Sequence, residues 1–249
     1  MFTTGVVTTE KPTLRARRRE QMLIDIRAAA RRQLLAEGAA ALSLRAVARD
    51  LGIAVSALYR YFDGRDALLT DLIVAAFTAH AEAVEAATAT ADGDDVRAVL
   101  RAGFLAYRDW GLAHPADFAL VYGAPVPGYR APAARTTQPG TRITDHLTEL
   151  AVQAWEQGRF DEATLRNRAA RLNPDTEREL ARLCRERGYR LPVPAFALAY
   201  DCFVAVHGAV AMEVFDQLRP VLPDAAPYVT DLLDTHLDAM VGPARERGA

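Results

Sequence analysis

The apolar residues of the N-terminal part recur three and four positions apart, which is the spacing of helices and not of strands. A first helix is predicted with one apolar face, made by Leu23, Ile26, Ala30 and Leu34. Gly38 is a helix-stop signal, and Ser43 is a suitable N-cap for the helix that follows. Two short helices and one long helix are then predicted, over residues 44–51, 55–62 and 65–89.

The rest of the chain continues the helical pattern with one interruption. Residues 123–141 hold four prolines and three glycines, so this composition predicts a long loop. Helices are predicted on both sides of it, over residues 96–113, 116–122, 143–157, 195–218 and 224–241, and another begins at Asn173-Pro174. No run of residues shows the alternation of a strand. The pattern therefore predicts an all-α fold of about nine or ten helices.

The composition of the 249 residues, 51% hydrophobic and 25% charged, is that of a soluble globular protein. No uncharged stretch reaches the roughly 18 apolar residues of a membrane span, and the N-terminus lacks the apolar core of a signal peptide. The two cysteines, Cys184 and Cys202, are too few for a disulfide framework or a cysteine-rich zinc site, and they fit a reducing, cytoplasmic setting. We expect no metal, no cofactor and no membrane partner.

The charge is unevenly distributed along the chain. Residues 1–70 carry 12 basic and 7 acidic side chains, whereas residues 71–249 carry 18 basic and 25 acidic ones. A basic N-terminal part on an acidic remainder indicates that the N-terminal part meets a polyanion.

Residues 43–62 have the sequence shape of a helix-turn-helix. Two short helices are joined by a tight turn that contains Gly52, and the small side chain of Ala48 lets the helices approach closely. Leu58 is expected to point inward, which leaves other side chains of the second helix for base edges and phosphates, namely Val55, Ser56, Tyr59 and Arg60. On spacing alone, the alternative is an ordinary helical hairpin with glycine at its bend.

A dense set of residues between Ile26 and Leu69 carries a family pattern that ends in the segment LYRYFDGRDALL: Ile26, Ala29, Ala30, Leu34, Glu37, Gly38, Leu44, Val47, Ala48, Leu51, Gly52, Ile53, Leu58, Tyr59, Tyr61, Phe62, Arg65 and Leu68. This run resembles the N-terminal domain of the TetR family of repressors. The resemblance implies a flexible tail, a helix-turn-helix DNA-binding domain, and a helical effector-binding and dimerisation domain, over residues 1–13, 14–65 and 66–245.

The resemblance also implies a role for each candidate DNA contact. Ser43 and Arg45 are expected to reach backbone phosphates, and Tyr59 stands at the position of a family tyrosine that touches phosphate. Arg60 is the candidate reader of guanine, or else a phosphate clamp. Arg65 stands where the family has lysine, next to the DNA backbone.

Three further features concern the same DNA-binding domain. Ala54 departs from the family, which usually begins the recognition helix with Ser or Thr, and the lost cap costs about 1 kcal/mol. Val55 and Ser56 lie where the family varies, so they are expected to read the operator, and Tyr61 lies beside the recognition helix. The basic residues expected before the first helix reach the minor groove or form a solvated tail: Arg15, Arg17, Arg18 and Arg19.

The C-terminal helices are implied to form an effector pocket. His207-Gly208 match a branch of the family named for a Trp-His-Gly motif, with Phe203 in place of the tryptophan, and a close neighbouring helix would explain Gly208. The effector is expected to be an unidentified, largely apolar small molecule. Its candidate contacts are His207 and aromatic residues of the middle helices, each of which has a core position as its alternative: Phe104, Tyr107, Trp110, Phe118, Tyr122 and Trp155.

The last two helices are predicted to form a dimer surface, because the helix over residues 195–218 is apolar nearly all round and must be buried. The candidate interface residues are Phe203, Val210, Val214, Leu233 and Leu237. A two-fold dimer would hold two recognition helices about one DNA turn apart, as a palindromic operator requires.

The sequence thus predicts a DNA-binding transcriptional regulator, in the form of a ligand-released repressor that acts as a homodimer on a palindromic double-stranded DNA operator. An effector would tilt the long helix over residues 65–89 and change the separation of the two reading heads. A ligand-independent DNA-binding protein is the main alternative. An enzyme is not expected, because no motif surrounds Cys184 or His207 and no nucleophile–base set can be assembled.

Overall fold

The structure is a computed structural model that describes residues 13–242. These residues form eleven α-helices and one 3-10 turn (Ala39–Ala41), and no strand occurs among them. The helices are α1 (Leu14–Glu37), α2 (Leu44–Asp50), α3 (Val55–Leu58), α4 (Arg65–Thr90), α5 (Val96–Ala113), α6 (Pro115–Tyr122), α7 (Ala133–Glu156), α8 (Glu162–Ala170), α9 (Pro174–Arg187), α10 (Val193–Val214) and α11 (Ala226–Val241). The predicted all-α fold is confirmed.

The chain divides into two compact units. The first contains the described residues up to Leu72 together with the segment Pro125–Arg130, and the second contains the rest. The boundary lies inside α4, so one continuous helix contributes residues to both units. Residues 1–12 of the predicted tail and residues 243–249 lie outside the described residues.

The first unit is built around the turn between α2 and α3. Core side chains from α1, α2 and α3 are each at most 1% exposed: Ile26, Ala30, Val47, Ala48 and Leu58. Gly52 has φ 65°, a left-handed conformation that glycine adopts without steric cost. The N–H of Ile53 then donates to the carbonyl of Ala48 at 3.0 Å, which closes the tight turn predicted here.

Two helices begin earlier than the sequence pattern predicts. α1 begins at Leu14 because the Thr13 hydroxyl caps it, accepting a hydrogen bond from the N–H of Ala16 at 3.2 Å. α7 begins at Ala133, inside the predicted loop, and it continues through Pro139. The helical segment around Pro139 packs against α4, since a Cβ at the next residue, Gly140, would lie 3.4 Å from the ring of Phe77.

α5 is central to the second unit, where it contacts α6, α7, α10 and α11. A Cβ at Gly111 of this helix would lie 3.0 Å from the ring of Phe118, so glycine permits the close approach of α6. At the other end of α5, Arg97 is only 8% exposed and donates to Asp234 and Asp238 of α11. Apolar packing and the ion pairs of the buried Arg97 therefore fix α5 in the second unit.

Two helices, α4 and α10, are long and apolar enough to cross a membrane by length and composition. A helix in the core of a folded protein can have the same length and apolar composition. In this structure, 50% of the most apolar 18 residues of α4 and 39% of those of α10 are buried inside the protein. This burial favours core helices, as do the ring and hydrogen-bond contacts that both make within the second unit.

Candidate functional sites

The first candidate site is the solvent-facing side of α3 and the turn after it. Ser56, Tyr59 and Arg60 are exposed, Tyr59 by 55%, whereas Leu58 between them is fully buried. α3 ends at Leu58 and not near residue 62, but turns continue from it, with the N–H of Tyr61 donating to the carbonyl of Leu58 at 2.8 Å. Leu58 thus anchors α3 and the turn after it, while the side chains of Ser56, Tyr59 and Arg60 face solvent.

The starts of α2 and α3 have no side-chain caps. Ser43 is the N-cap of α2, yet its side chain makes no capping hydrogen bond, and its N–H donates to Oε1 of Gln33 at 3.1 Å. Ala54 is the N-cap of α3 and offers no hydroxyl, as the sequence indicated. Arg45 is exposed in the first turn of α2. The Ser43 hydroxyl and the Arg45 guanidinium therefore serve no capping role in the helices that carry them.

The basic residues near the N-terminus lie within α1, so the prediction that they precede the first helix is wrong. The Thr13 cap extends the helix over them, and both Arg17 and Arg18 are exposed on it. The guanidinium carbon of Arg19 lies 5.5 Å from the centre of the Tyr61 ring, a cation–π distance. This contact ties the start of α1 to the half-buried Tyr61, just beyond α3. Val55 is also half-buried.

Arg65, the predicted phosphate contact at the start of α4, binds the protein backbone. Its Nη2 donates to the carbonyls of Ala39 and Ala40 at 3.1 and 3.2 Å, and its Nε donates to the carbonyl of Leu42 at 3.1 Å. These carbonyls belong to the 3-10 turn and to the residues that lead into α2. Arg65 thereby holds the segment that positions Ser43 and the start of α2.

The second candidate site is a cluster of rings in the second unit. Its members are His80 on α4, Tyr107 and Trp110 on α5, Phe118 and Tyr122 on α6, and Phe203 and His207 on α10. Trp110 stacks on His80 with the ring centres 4.1 Å apart, and Tyr107 lies 4.3 Å from the same imidazole. Five of the seven predicted effector contacts therefore come together here.

The other two predicted contacts lie outside this ring cluster. Phe104 is adjacent, because it lines with Phe203 a cavity of about 20 Å³ among α5, α7, α10 and α11. That volume is close to the smallest that holds one water molecule. The ring contact that the structure describes for Trp155 is with Phe160 at 6.0 Å, apart from the cluster. The structure therefore separates Trp155 from the other candidates.

The ring cluster contains polar atoms in an apolar setting. The Tyr107 hydroxyl lies 2.6 Å from Nδ1 of His207, and Nε2 of His80 lies 3.0 Å from the carbonyl oxygen of Tyr107. Burial lowers the pKa of His80 to about 4, and it also lowers the pKa of His207. Burial raises the pKa of Tyr122 to about 12. All three groups are therefore uncharged near pH 7.

His80 is the member of this cluster that the sequence did not suggest as a site residue. Its spacing places it on the apolar stripe of the long helix, beside Ala76, Phe77 and Val84. Periodicity of this kind reports a buried face but not which helix covers it. A histidine in an otherwise apolar stripe is the signal that points to a special position.

The predicted dimer residues are mostly internal. Val210, Leu233 and Leu237 are each at most 1% exposed within a single chain, so these side chains cannot pack against a partner in this conformation. Phe203 and Val214 are half-buried. The expectation was wrong for the first three because α10 is apolar nearly all round, and periodicity does not say which side faces its own body.

A different apolar face of α10 and α11 is open to solvent. An open groove of about 620 Å³ lies between these helices, and its lining includes Val204, Gly208, Met212, Val221 and Tyr228. Val204, Met212 and Tyr228 are 52%, 43% and 48% exposed. Gly208 has no close helix neighbour of the kind expected, since a Cβ there would meet nothing within 4 Å in the described chain.

Comparison with known families matches the chain in two places. Residues 26–72 match the bacterial regulatory proteins of the tetR family, and residues 100–236 match the tetracyclin repressor-like C-terminal domain. The HTH-type transcriptional regulators Rv1816 of Mycobacterium tuberculosis and Mb1846 of Mycobacterium bovis are each 38% identical over 208 residues, which cover 80% of this chain and 83% of theirs. This chain belongs to the TetR family. It is a DNA-binding transcriptional regulator.

Solved structures have the same architecture as this TetR-family regulator. The crystal structure of the regulatory protein SCO4313 is 31% identical, with a TM-score of 0.72, and covers 93% of this chain and 100% of that one. A TetR-family transcription regulator from Marinobacter aquaeolei VT8 is only 16% identical, with a TM-score of 0.59 over 90% of this chain and 97% of that one. The second likeness concerns the fold alone.

Proposed function

We propose that this TetR-family regulator is a cytoplasmic, ligand-released repressor that binds a palindromic operator in double-stranded DNA as a homodimer. The observation that carries the DNA-binding part is the arrangement of Ser56, Tyr59 and Arg60, all exposed around the fully buried Leu58. A short helix that is anchored by a buried side chain and is polar on its solvent-facing side suits the major groove.

The proposed DNA contacts follow from this placement. Ser56, Tyr59 and Arg60 face base edges and nearby phosphates, together with the half-buried Val55. Ser43, Arg45 and the exposed α1 arginines Arg17 and Arg18 bind backbone phosphates, and Tyr61 supports them through Arg19. We assign Arg65 a structural role, because its guanidinium donates to three backbone carbonyls.

The proposed dimer surface is the open apolar face of α10 and α11. Val204, Met212 and Tyr228 are large apolar side chains left exposed along one groove. Glycine inside a helix costs about 1 kcal/mol relative to alanine, and no neighbour of Gly208 among residues 13–242 needs the space. The close approach of α10 from a second copy would use that space, with the half-buried Phe203 and Val214 on the same helix.

The proposed effector site is the ring cluster. In it His80 of α4 contacts rings of α5 and α6, and Tyr107 of α5 contacts His207 of α10. Aromatic walls with a few polar atoms are typical of small-molecule sites between helices. Because α4 contains residues of both units, a shift of His80 by a bound effector would move the helix that leads into the DNA-binding unit. The effector must bind the DNA-incompetent state more tightly for this shift to release DNA.

Binding of labelled DNA from upstream of the protein's own gene tests this proposal. We expect saturable, nanomolar binding to a palindromic segment, with the affinity falling steeply as salt rises. A DNA of equal length with scrambled half-sites is the control, and it should bind far more weakly. Equal affinity for both DNAs would contradict operator recognition, and a mass corresponding to one chain per bound operator would contradict the dimer.

A ligand-independent DNA-binding protein is the second candidate, and one observation favours it. The cavity beside the ring cluster has only about 20 Å³, so the second unit is closely packed at this place in this conformation. If no compound that binds the body alters operator affinity, this second function replaces the first. We propose no catalytic activity, since the buried thiol of Cys202 has its pKa raised to about 12 and is a poor nucleophile.

A further inference from the structure

Nδ1 of His80 is a buried side-chain atom without a hydrogen-bond partner among the described residues. The residue is 0% exposed, so solvent does not reach this nitrogen in the folded chain. An unsatisfied buried polar atom costs about 1–3 kcal/mol, and native structures contain few of them. An apolar side chain on this stripe of α4 would avoid that cost, which makes the histidine a candidate ligand contact.

The hydrogen-bonding character of this atom follows from the other ring nitrogen. Nε2 of His80 lies 3.0 Å from the backbone carbonyl oxygen of Tyr107, and a carbonyl oxygen only accepts hydrogen bonds. Nε2 must therefore carry the hydrogen. Because the buried imidazole is neutral near pH 7, Nδ1 holds a lone pair and is an acceptor. The atom can be satisfied by a donor and not by another acceptor.

The surroundings restrict the molecule that could bring this donor. Trp110 stacks on the imidazole at 4.1 Å, Tyr107 lies at 4.3 Å, and Tyr122 and Phe118 lie at 6.0 and 6.3 Å. Flat rings packed at these distances suit another aromatic ring. A carboxylate would direct its own lone pairs at Nδ1, and a buried charge without a partner is costly.

We propose that the effector is an uncharged aromatic molecule bearing an O–H or N–H donor, and that Nδ1 of His80 accepts this hydrogen bond. The inference rests on the proposed function, which places the effector in the ring cluster. The adjacent cavity of about 20 Å³ is smaller than an aromatic ring, so binding separates the rings. The hydrogen bond to Nδ1 and the ring contacts then offset the packing that is lost.

Three probes of similar size test the inference on the full-length protein: 4-chlorophenol, an uncharged donor; 4-chloroanisole, uncharged without a donor; and 4-chlorobenzoate, an anion. We expect 4-chlorophenol to bind the natural protein about tenfold more tightly than either other probe by calorimetry, as one buried hydrogen bond allows. In His80→Phe this preference should fall to less than about twofold. His236→Phe, which removes an imidazole outside the cluster, should retain it.

A second measurement does not depend on the folding of a variant. In protein with nitrogen-15-labelled histidine, 4-chlorophenol should shift the His80 Nδ1 resonance towards that of a hydrogen-bonded nitrogen, and 4-chloroanisole should not. Equal binding of the phenol and the anisole overturns the inference. A preference that survives in His80→Phe also overturns it, as does an unchanged Nδ1 resonance at saturating 4-chlorophenol or the absence of any binding.

Operator binding measured in the same samples separates this inference from the proposed function. If 4-chlorophenol binds through His80 and the DNA stays bound, the donor inference holds and ligand release by this class of molecule fails. If a compound without a donor releases DNA equally from the natural protein and from His80→Phe, ligand release holds and the donor inference fails.

Discussion

The hydroxyl of Tyr107 lies 2.6 Å from Nδ1 of His207, a contact that joins α5 to α10 inside the ring cluster. The next residue on α10 is Gly208, which is exposed on the open groove. Two adjacent residues of α10 thus lie on different sides: His207 belongs to the ring cluster, and Gly208 belongs to the proposed dimer surface. A change in the cluster that moves His207 must also move the surface at Gly208.

Removal of this hydroxyl should weaken the fold. In Tyr107→Phe, Nδ1 of His207 loses its partner in a half-buried position, and we expect the free energy of unfolding to fall by about 1–2 kcal/mol. Urea denaturation at pH 7 measures the change. Tyr200→Phe removes a hydroxyl from a side chain that is 47% exposed and should have almost no effect. Equal losses in the two variants would contradict a special role for the Tyr107–His207 contact.

Stability should depend on pH through His80. Its pKa is about 4 in the folded protein and 6.5 as the ordinary value, so between these pH values the unfolded state binds more protons. The free energy of unfolding should therefore decrease as pH falls from 6.5 towards 4, by about 3 kcal/mol from this residue. Urea denaturation of the natural protein and of His80→Phe across this range measures the difference. If the free energy of unfolding depended on pH in the same way in both proteins, His80 would not be the source of the pH dependence.

Substitution of Arg65 should affect stability even when its charge is kept. Arg65→Lys preserves the positive charge. Lysine has one side-chain nitrogen, so it cannot replace the two guanidinium nitrogens that donate to the carbonyls of Ala39, Ala40 and Leu42. We expect a loss of about 1–3 kcal/mol in urea denaturation. Arg49→Lys, at an exposed position on α2, is the matched control and should change little. If only operator affinity fell and stability did not, Arg65 would be a phosphate contact as first predicted.

Arg60 should contribute directly to DNA binding. Arg60→Ala removes an exposed guanidinium next to the recognition helix, and we expect operator affinity to fall by about 1–3 kcal/mol if it reads a base. Fluorescence anisotropy with labelled operator measures this loss. Arg178→Ala removes the same charge from an exposed position on α9 and serves as the control. Unchanged affinity in Arg60→Ala would remove this residue from the interface.

The open face of α10 should determine the oligomeric state. Met212→Glu places a charge on a side chain that is 43% exposed in the apolar groove, and desolvating an unpaired charge would oppose dimerisation. Light scattering coupled to size-exclusion chromatography should show a shift from dimer to monomer. Leu35→Glu, at a 65% exposed position on α1, should leave the mass unchanged. A dimer that persists in Met212→Glu would place the interface elsewhere.

The sequence predicted the elements whose structure depends on local spacing. The turn at Gly52, the buried Leu58 and the exposed Ser56, Tyr59 and Arg60 all follow from a short helix with one inward face. Five of the predicted effector contacts also share one ring cluster. The start of α1 was missed, because the Thr13 cap extends the helix beyond the apolar stripe.

The sequence by itself determined the all-α fold and which side of α3 is exposed, since both arise from residues that are close along the chain. Tertiary structure alone decided that Arg65 binds backbone carbonyls, that Trp155 lies apart, and that Val210 is buried while Met212 is exposed. It also brought His80 against Tyr107, 27 residues away. A helix that is apolar on most sides fits several neighbours equally well, and only the packing of the other helices selects among them.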